Sequence, residues 1–370
     1  MKQFALKTKV SLMDTFNEFL EDINLSTDTD WIIADEAVYN MLGLGDKYKH
    51  MFPQTYGKGE PTDKMLDAIR KDMPAGIKRI IAIGGGTVID ISKALTLDSE
   101  ADNVEDMYMG RVPVTKGREL VVVPTTCGTG SEVTNISITE LTNMKTKKGL
   151  VLDILFPDRA VLIPELLKGL PYRFFATSSV DALIHCVESF MSPKANPYTE
   201  MFSLEGIRMI IEGYKYVLEN GPDSWVDKVD EFLIASNFGG IAFGNAGCAA
   251  VHALSFPLGG VHHIPHGEAN LLMFMPVFTK YKDKKPVGKI NQFEKIIADI
   301  LGCDNEKALD EFQKLLQKII ATKPLKEYGM MENEIDQFGE SVVKEQQRLL
   351  NNNYVELTLD ELKAIYRSCW

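Results

Sequence analysis

The sequence predicts an α/β N-terminal nucleotide-binding domain built on a parallel sheet, followed by an all-α C-terminal domain. Three observations predict it. Continuous Val/Ile/Ala runs alternate with helical patterns as far as residue 164, as in a parallel sheet covered on both faces. Two of those runs pass into glycine- or threonine-rich loops, where α/β folds bind ligands. Beyond Pro164 and Pro171, apolar residues recur at helical spacing and strand-like runs become rare. The expected domains are residues 1–164 and 165–370.

Along the chain, DWIIADEAVY holds an apolar strand, Trp31 to Ala34, closing on Asp35. A carboxylate there would bind the adenosine ribose of NAD and repel the 2′-phosphate of NADP; a solvated acid opening a turn has the same spacing. RIIAIGGG reads as a strand, Arg79 to Ile83, running into Gly84, Gly85 and Gly86, with a helix over TVIDISKALTL. Without Cβ atoms the glycines let the backbone approach an anion, and the free N–H groups of the helix start supply donors. A pyrophosphate suits that turn, although it is not the GxGxxG fingerprint and a bare βα turn has the same composition. ELVVVPTTCGTGSEVT repeats the theme with a buried strand, Leu120 to Val123, and a Thr/Gly loop from Pro124 to Thr134. Two such loops favour a nucleotide. RAVLIP, Arg159 to Pro164, is the last strand, and EMFSLEGIRMIIEGYKYVLENG and DEFQKLLQKIIATKPLKEYG are among the helices that follow.

Four of the six histidines, His252, His262, His263 and His266, fall within VHALSFPLGGVHHIPHGEAN. His252 is expected near the end of a helix that starts near Asn237, and His266 past a Gly/Pro bend. SSVDALIHCVESF is expected to be a buried helix capped by Ser178 or Ser179, since Val180, Leu183, Ile184, Val187 and Phe190 cover most of its circumference. Asp181 and His185 stand one turn apart on it, with Glu188 on the same side. They either pair with each other or, with His252 and His266, form a nitrogen/oxygen site for a divalent metal such as Fe²⁺ or Zn²⁺.

Composition narrows the partners. A net charge of -12 disfavours nucleic acid and anionic membranes. No apolar run is long enough to span a bilayer, and MKQFALKTKV lacks a signal-peptide core. Five cysteines without CxxC spacing fit free thiols in a reducing cytoplasm.

GGGTVIDISK, PTTCGTGSEVT, DALIHCVES and HALSFPLGGVHHIPHGEAN, in that order and spacing, resemble the iron-dependent (group III) alcohol dehydrogenases over nearly the whole chain. The details TTCGTGSEVTN, NAGCAAVHALSFPLGG, KPLKEYGM and QQRLLNNNY resemble members acting on a short hydroxy acid and its aldehyde. Butanol, 1,3-propanediol and glycerol are the alternatives within the family. The resemblance implies the two-domain architecture shared with dehydroquinate synthase, hydride transfer with NAD, and a divalent metal, Fe²⁺ or alternatively Zn²⁺. It also implies a homodimer or larger homo-oligomer.

Carried onto this chain, the resemblance places the metal ligands on Asp181, His185, His252 and His266. It places the diphosphate loop on Gly85, Gly86 and Thr87, with Val88 and Ile89 following, and the second cofactor loop on Thr125, Thr126 and Thr134. The lysine at the nicotinamide end falls on Lys148 of KTKKG, and Asp35 stands where NAD-using members often carry an acid. Two positions depart from the pattern: Phe256 replaces a histidine common in the family, and Glu60-Pro61 replaces an Asn-Pro pair. His262 or His263, the latter foremost, is a candidate proton relay or else a loop residue that fixes the bend. Lys194, Arg348 and Asn245 are candidates to bind a substrate carboxylate.

Overall fold

A computed structural model describes residues 3–144 and 146–370, so the first two residues of MKQFALKTKV and Lys145 of KTKKG lie outside the described residues. The chain divides into two compact units, Ala5–Leu170 and Pro171–Trp370, the second also taking in Gln3 and Phe4. Phe4 stacks there on Tyr198 and Phe202.

In the first unit one parallel sheet runs in the order β1 (Lys9–Leu12), β10 (Arg159–Leu162), β7 (Glu119–Pro124), β4 (Arg79–Gly84), β2 (Asp30–Ala34) and β3 (His50–Met51). Successive side chains point to opposite faces. Trp31, Ile33, Ile80, Ala82, Leu120 and Val122 share a core with Leu66 and Ile69 of α3 (Asp63–Asp72) and Val88 and Ile91 of α4 (Gly86–Leu95). Ile32, Ile81, Ile83, Val121 and Val123 are equally buried on the other face, which explains the unbroken apolar runs. RAVLIP stops pairing at Leu162, because Pro164 opens a 3-10 turn. Register matters most for function. Ala34 pairs with Ile83 and Gly84 with Pro124, so the carboxyl ends of β2, β4 and β7 finish side by side. Two small antiparallel pairs, β5 (Leu97–Asp98) with β6 (Thr115–Lys116) and β8 (Ile136–Leu141) with β9 (Thr146–Val151), complete the strands.

The second unit contains no strand among the described residues. Its helices are α6 (Tyr172–Met191), α7 (Pro197–Asn220), α8 (Val229–Ala246), α9 (Ala250–His262), α10 (His266–Lys284), α11 (Lys289–Leu301), α12 (Ala308–Ile319), α13 (Glu334–Glu345), α14 (Gln347–Leu350) and α15 (Leu359–Cys369). On its own, no single helix among the described residues is long and apolar enough to cross a membrane.

Two expected helix ends are corrected. α6 begins at Tyr172 behind Pro171, so Ser178 and Ser179 lie inside it and bond back to the carbonyls of Phe175 and Ala176. A proline with its φ already fixed starts the helix ahead of either serine. His252 sits in the first turn of α9 and not near the end of the preceding helix. α8 stops at Ala246 because Gly247 takes a φ of 81°, open to glycine and to few other residues.

The bend between α9 and α10 is built from a left-handed His263, with φ 54°, and from Pro265, which precedes the first residue of α10, His266. α10 then approaches α6 so closely that a Cβ on Gly267 would lie 1.9 Å from the carbonyl oxygen of Thr177. Backbone cannot retreat as a side chain can, so Gly267→Ala should push α10 away from α6. We expect a loss of about 1–3 kcal/mol, read as a lower Tm in thermal unfolding. An unchanged Tm would contradict this contact.

Candidate functional site

α6 buries Asp181, His185 and Glu188 among largely apolar neighbours. α9 adds His252 and α10 adds His266. Asp181 Oδ1 lies 3.6 Å from His252 Nε2 and 3.7 Å from His266 Nε2, while Oδ2 lies 3.9 Å from His185 Nδ1. These separations exceed hydrogen bonds. Those to His252 and His266, which form one close set with Asp181, match ligand atoms that share one cation at roughly 2.0–2.2 Å from each. The His185 ring stacks between His252 and Phe243, with centroids 4.7 and 4.2 Å away.

One atom tests the fit of a metal. His252 Nε2 is buried and has no hydrogen-bond partner. The ring's other nitrogen, Nδ1, is held by Glu188 at 2.6 Å, and the same carboxylate accepts the N–H groups of Ala249 and Val251. With Nδ1 donating to Glu188, the neutral ring presents a bare lone pair at Nε2, facing Asp181. A buried acceptor left unmatched is costly, and a divalent cation would match it. The electrostatics favour positive charge at this place, whether a proton on the imidazoles or a cation held by them. Burial alone would raise the Asp181 carboxyl, but His185, His266 and His252 around it hold it well below the usual carboxylate range. Burial disfavours protonated His252, yet Cys248, Asp181 and Glu188 raise its pKa well above the ordinary value. His185 is raised by Asp181 and Cys248 in the same way, against its burial.

Two neighbours escaped the sequence reading. Asn270, one turn beyond His266 on α10, donates to Asp181 Oδ1 at 2.8 Å and lies 3.2 Å from His266 Nε2. Its i,i+4 spacing from His266 was the available signal. Cys248, in the short link between α8 and α9, puts its sulfur with nitrogens of His185 and His252, all within 4.8 Å of one another. Asp181, His252 and His266 form a second set at the same spacing, so His252 belongs to both. The expected set without sulfur therefore has a thiol beside it, and the two imidazoles pull that thiol down against its burial.

Other candidates lie elsewhere. His262 Nε2 approaches Glu334 at 3.3 Å, and His263 is exposed at the left-handed cap of α9. Phe256 comes within 6.0 Å of the His266 ring. Lys194 is exposed after α6, and the Asn245 amide donates to the Ile241 carbonyl.

The first unit gathers its own set at the adjoining strand ends. Gly85 and Gly86 face the threonine loop so closely that a Cβ on either would lie 3.3 Å from Thr126 Cγ2 or 2.8 Å from Thr129 Cγ2. Thr125 donates its N–H to the Gly84 carbonyl. Asp35, the residue before α2 (Glu36–Leu42), accepts from Gln54 at 2.6 Å and from the Gly85 N–H; burial still leaves its pKa raised. Val88 and Ile89 turn their side chains into the core, leaving only backbone for a ligand. Thr134 is buried and its hydroxyl accepts from Lys93 at 2.9 Å. Lys148 lies half-buried on β9, opposite Thr139. Lys93 was also missed: its buried ammonium binds Ser131, Thr134 and the Ile136 carbonyl, and burial brings it down to about 8 despite Asp90 and Glu132. It ties the threonine loop to α4.

Comparison with known proteins identifies the family. Residues 16–164 match the pattern of the iron-containing alcohol dehydrogenases, and residues 175–370 that of the C-terminal part of the Fe-containing alcohol dehydrogenase family. The chain is 48% identical to a 4-hydroxybutyrate dehydrogenase of Clostridium kluyveri, covering 100% of both chains. It is 32% identical to a long-chain-alcohol dehydrogenase of Geobacillus thermodenitrificans over 79% of this chain and 74% of that one. Among solved structures, a 1,3-propanediol oxidoreductase superposes over 100% of both chains with a TM-score of 0.84 at 23% identity. A sulfoacetaldehyde reductase from Bifidobacterium kashiwanohense in complex with NAD+ does so with a TM-score of 0.83 at 23% identity, covering 100% of this chain and 98% of that one.

Two substitutions probe these sets. Glu188→Gln should weaken divalent-metal affinity about 10- to 100-fold in direct titration while leaving the far-ultraviolet circular dichroism unchanged; equal affinity would remove Glu188 from any role in orienting His252. Asp35→Gly should raise the ratio of NADP to NAD in kcat/KM, and an unaltered ratio would refute discrimination by that carboxylate.

Proposed function

Because the chain belongs to the iron-containing alcohol dehydrogenase family, we propose that it interconverts 4-hydroxybutyrate and succinate semialdehyde by hydride transfer with NAD. The unmatched, buried Nε2 of His252 facing Asp181 carries the site reading, and the end-to-end similarity to a 4-hydroxybutyrate dehydrogenase supports the substrate. Asp181, His185, His252 and His266 would hold the metal, Fe²⁺ or alternatively Zn²⁺. Bound there, the metal supplies a Lewis acid for the alcohol or aldehyde oxygen, and NAD supplies the hydride acceptor and donor.

The chain's own residues do the positioning. Glu188 fixes the His252 ring, and Asn270 holds the Asp181 carboxylate. Phe243 packs against His185 and Phe256 lies near His266, so each of these imidazoles has an aromatic neighbour. In the other unit, the Gly85–Thr87 N–H groups would take the diphosphate, Thr125 and Thr126 its neighbouring oxygens, Asp35 the ribose and Lys148 the nicotinamide end. Thr134 would act through the loop it anchors. His263, exposed at the bend, is the candidate to pass the alcohol proton to solvent. We further propose a homodimer or larger homo-oligomer in the cytoplasm, where the five free cysteines stay reduced.

NADH formation from 4-hydroxybutyrate and from 1-butanol, on protein of measured metal content, tests the proposal. We expect higher kcat/KM for 4-hydroxybutyrate, loss of activity on chelation and recovery with added Fe²⁺. Butanol turned over as well or better would assign the chain to another alcohol, and full activity after exhaustive chelation would remove the metal from the chemistry.

A further inference from the structure

A hydroxy acid has two ends, and the acid–imidazole cluster accounts only for its hydroxyl. The carboxylate, three carbons away, needs a cation held near the same cluster. The link from α8 to α9 leads to one. Cys248, whose sulfur meets His185 and His252, offers its carbonyl to Asn352 Nδ2 at 3.0 Å, and the same amide donates to the Arg348 carbonyl at 3.2 Å. Gly247 makes the junction possible, since a Cβ there would lie 2.3 Å from that nitrogen. Arg348 is the second residue of α14, whose backbone is thus joined through Asn352 to the cysteine that borders the imidazoles.

Its charge is uncommitted. Arg79, Arg111, Arg118, Arg159 and Arg208 each pair with a carboxylate, whereas Arg348, like Arg70 and Arg367, makes no ion pair among the described residues; of those three, Arg348 is the one joined through Asn352 to Cys248. The residue is open to solvent, yet its guanidinium is shielded enough for burial to lower its pKa, with Cys248 as the charge that opposes this. Lys194 is a mobile-stemmed cation on an exposed link, and Asn245 has its amide engaged, so neither offers a forked donor beside the cluster.

We propose that Arg348 is the carboxylate-binding residue of the helical unit, forming a two-pronged, charge-assisted pair with the acid group of the substrate while the hydroxyl end lies at Asp181, His185, His252 and His266. This rests on the hydroxy-acid reading above. It makes Arg348 the residue that separates hydroxy acids from plain alcohols, because an unpaired guanidinium prefers an anion to an alkyl end.

Arg348→Gln and Arg348→Lys, checked for unchanged metal content and Tm, provide the test, with 4-hydroxybutyrate and 1-butanol as substrates and butyrate as an unreactive competitor. The ratio of kcat/KM for 4-hydroxybutyrate over butanol should fall about 10- to 100-fold in Arg348→Gln, mainly through KM, and butyrate inhibition should weaken to match. Arg348→Lys should fall between, keeping the charge and losing the fork. If either folded variant keeps the wild-type ratio and the wild-type butyrate inhibition, the Arg348 assignment fails while the substrate reading stands. If the wild type itself does not prefer 4-hydroxybutyrate to butanol, both fail together.

Discussion

The helical unit is organised around the burial of one carboxylate. Asp181 sits in α6 among Val180, Leu183, Ile184 and Val187, all fully buried. An isolated charge there would cost many kcal/mol, so the rest of the unit brings charge partners to it. α9 delivers His252 only because α8 ends at Gly247, and α10 delivers His266 only because Gly267 lets two backbones nearly touch. Glu188 and Asn270 then orient the nearest members. What remains unmatched, His252 Nε2, is the position a divalent ion would take.

The α/β unit solves a different problem with the same economy of parts. An anionic cofactor needs many N–H donors close together, and a parallel sheet aligns them by register. Ala34, Gly84 and Pro124 end adjacent strands, so Asp35, the glycine turn and the threonine loop become neighbours although far apart in sequence. Lys93 then anchors the threonine loop from below through Ser131 and Thr134. A buried ammonium is a costly anchor, and its several acceptors with nearby Asp90 offset the desolvation.

Much of this was legible in the chain. Apolar runs gave away β2, β4, β7 and β10 because strands buried on both faces leave no polar gaps. The weaker signals failed where two local rules compete. Ser178 and Ser179 have good capping chemistry, but Pro171 starts α6 about two turns earlier. β8 and β9 were hidden because ISITEL alternates between buried and half-buried positions and lies in polar surroundings. Cys248 could not be placed at the site, since that depends on how α8 and α9 turn, and a turn angle is not written in periodicity; Asn270 shares a helix face with His266 and was legible from that spacing. Arg348 could be named as a candidate, but its nearness to Cys248 comes from Asn352, whose amide bridges the backbone carbonyls of the two residues.

If Asp181 and three imidazoles share one cation, X-ray absorption spectroscopy of the protein loaded with a single equivalent of Fe²⁺ or Zn²⁺ is the most direct check. The spectrum should show nitrogen and oxygen donors at about 2.0–2.2 Å with the multiple scattering of roughly three imidazoles. A first shell of water-like oxygens without imidazole scattering would contradict the shared site.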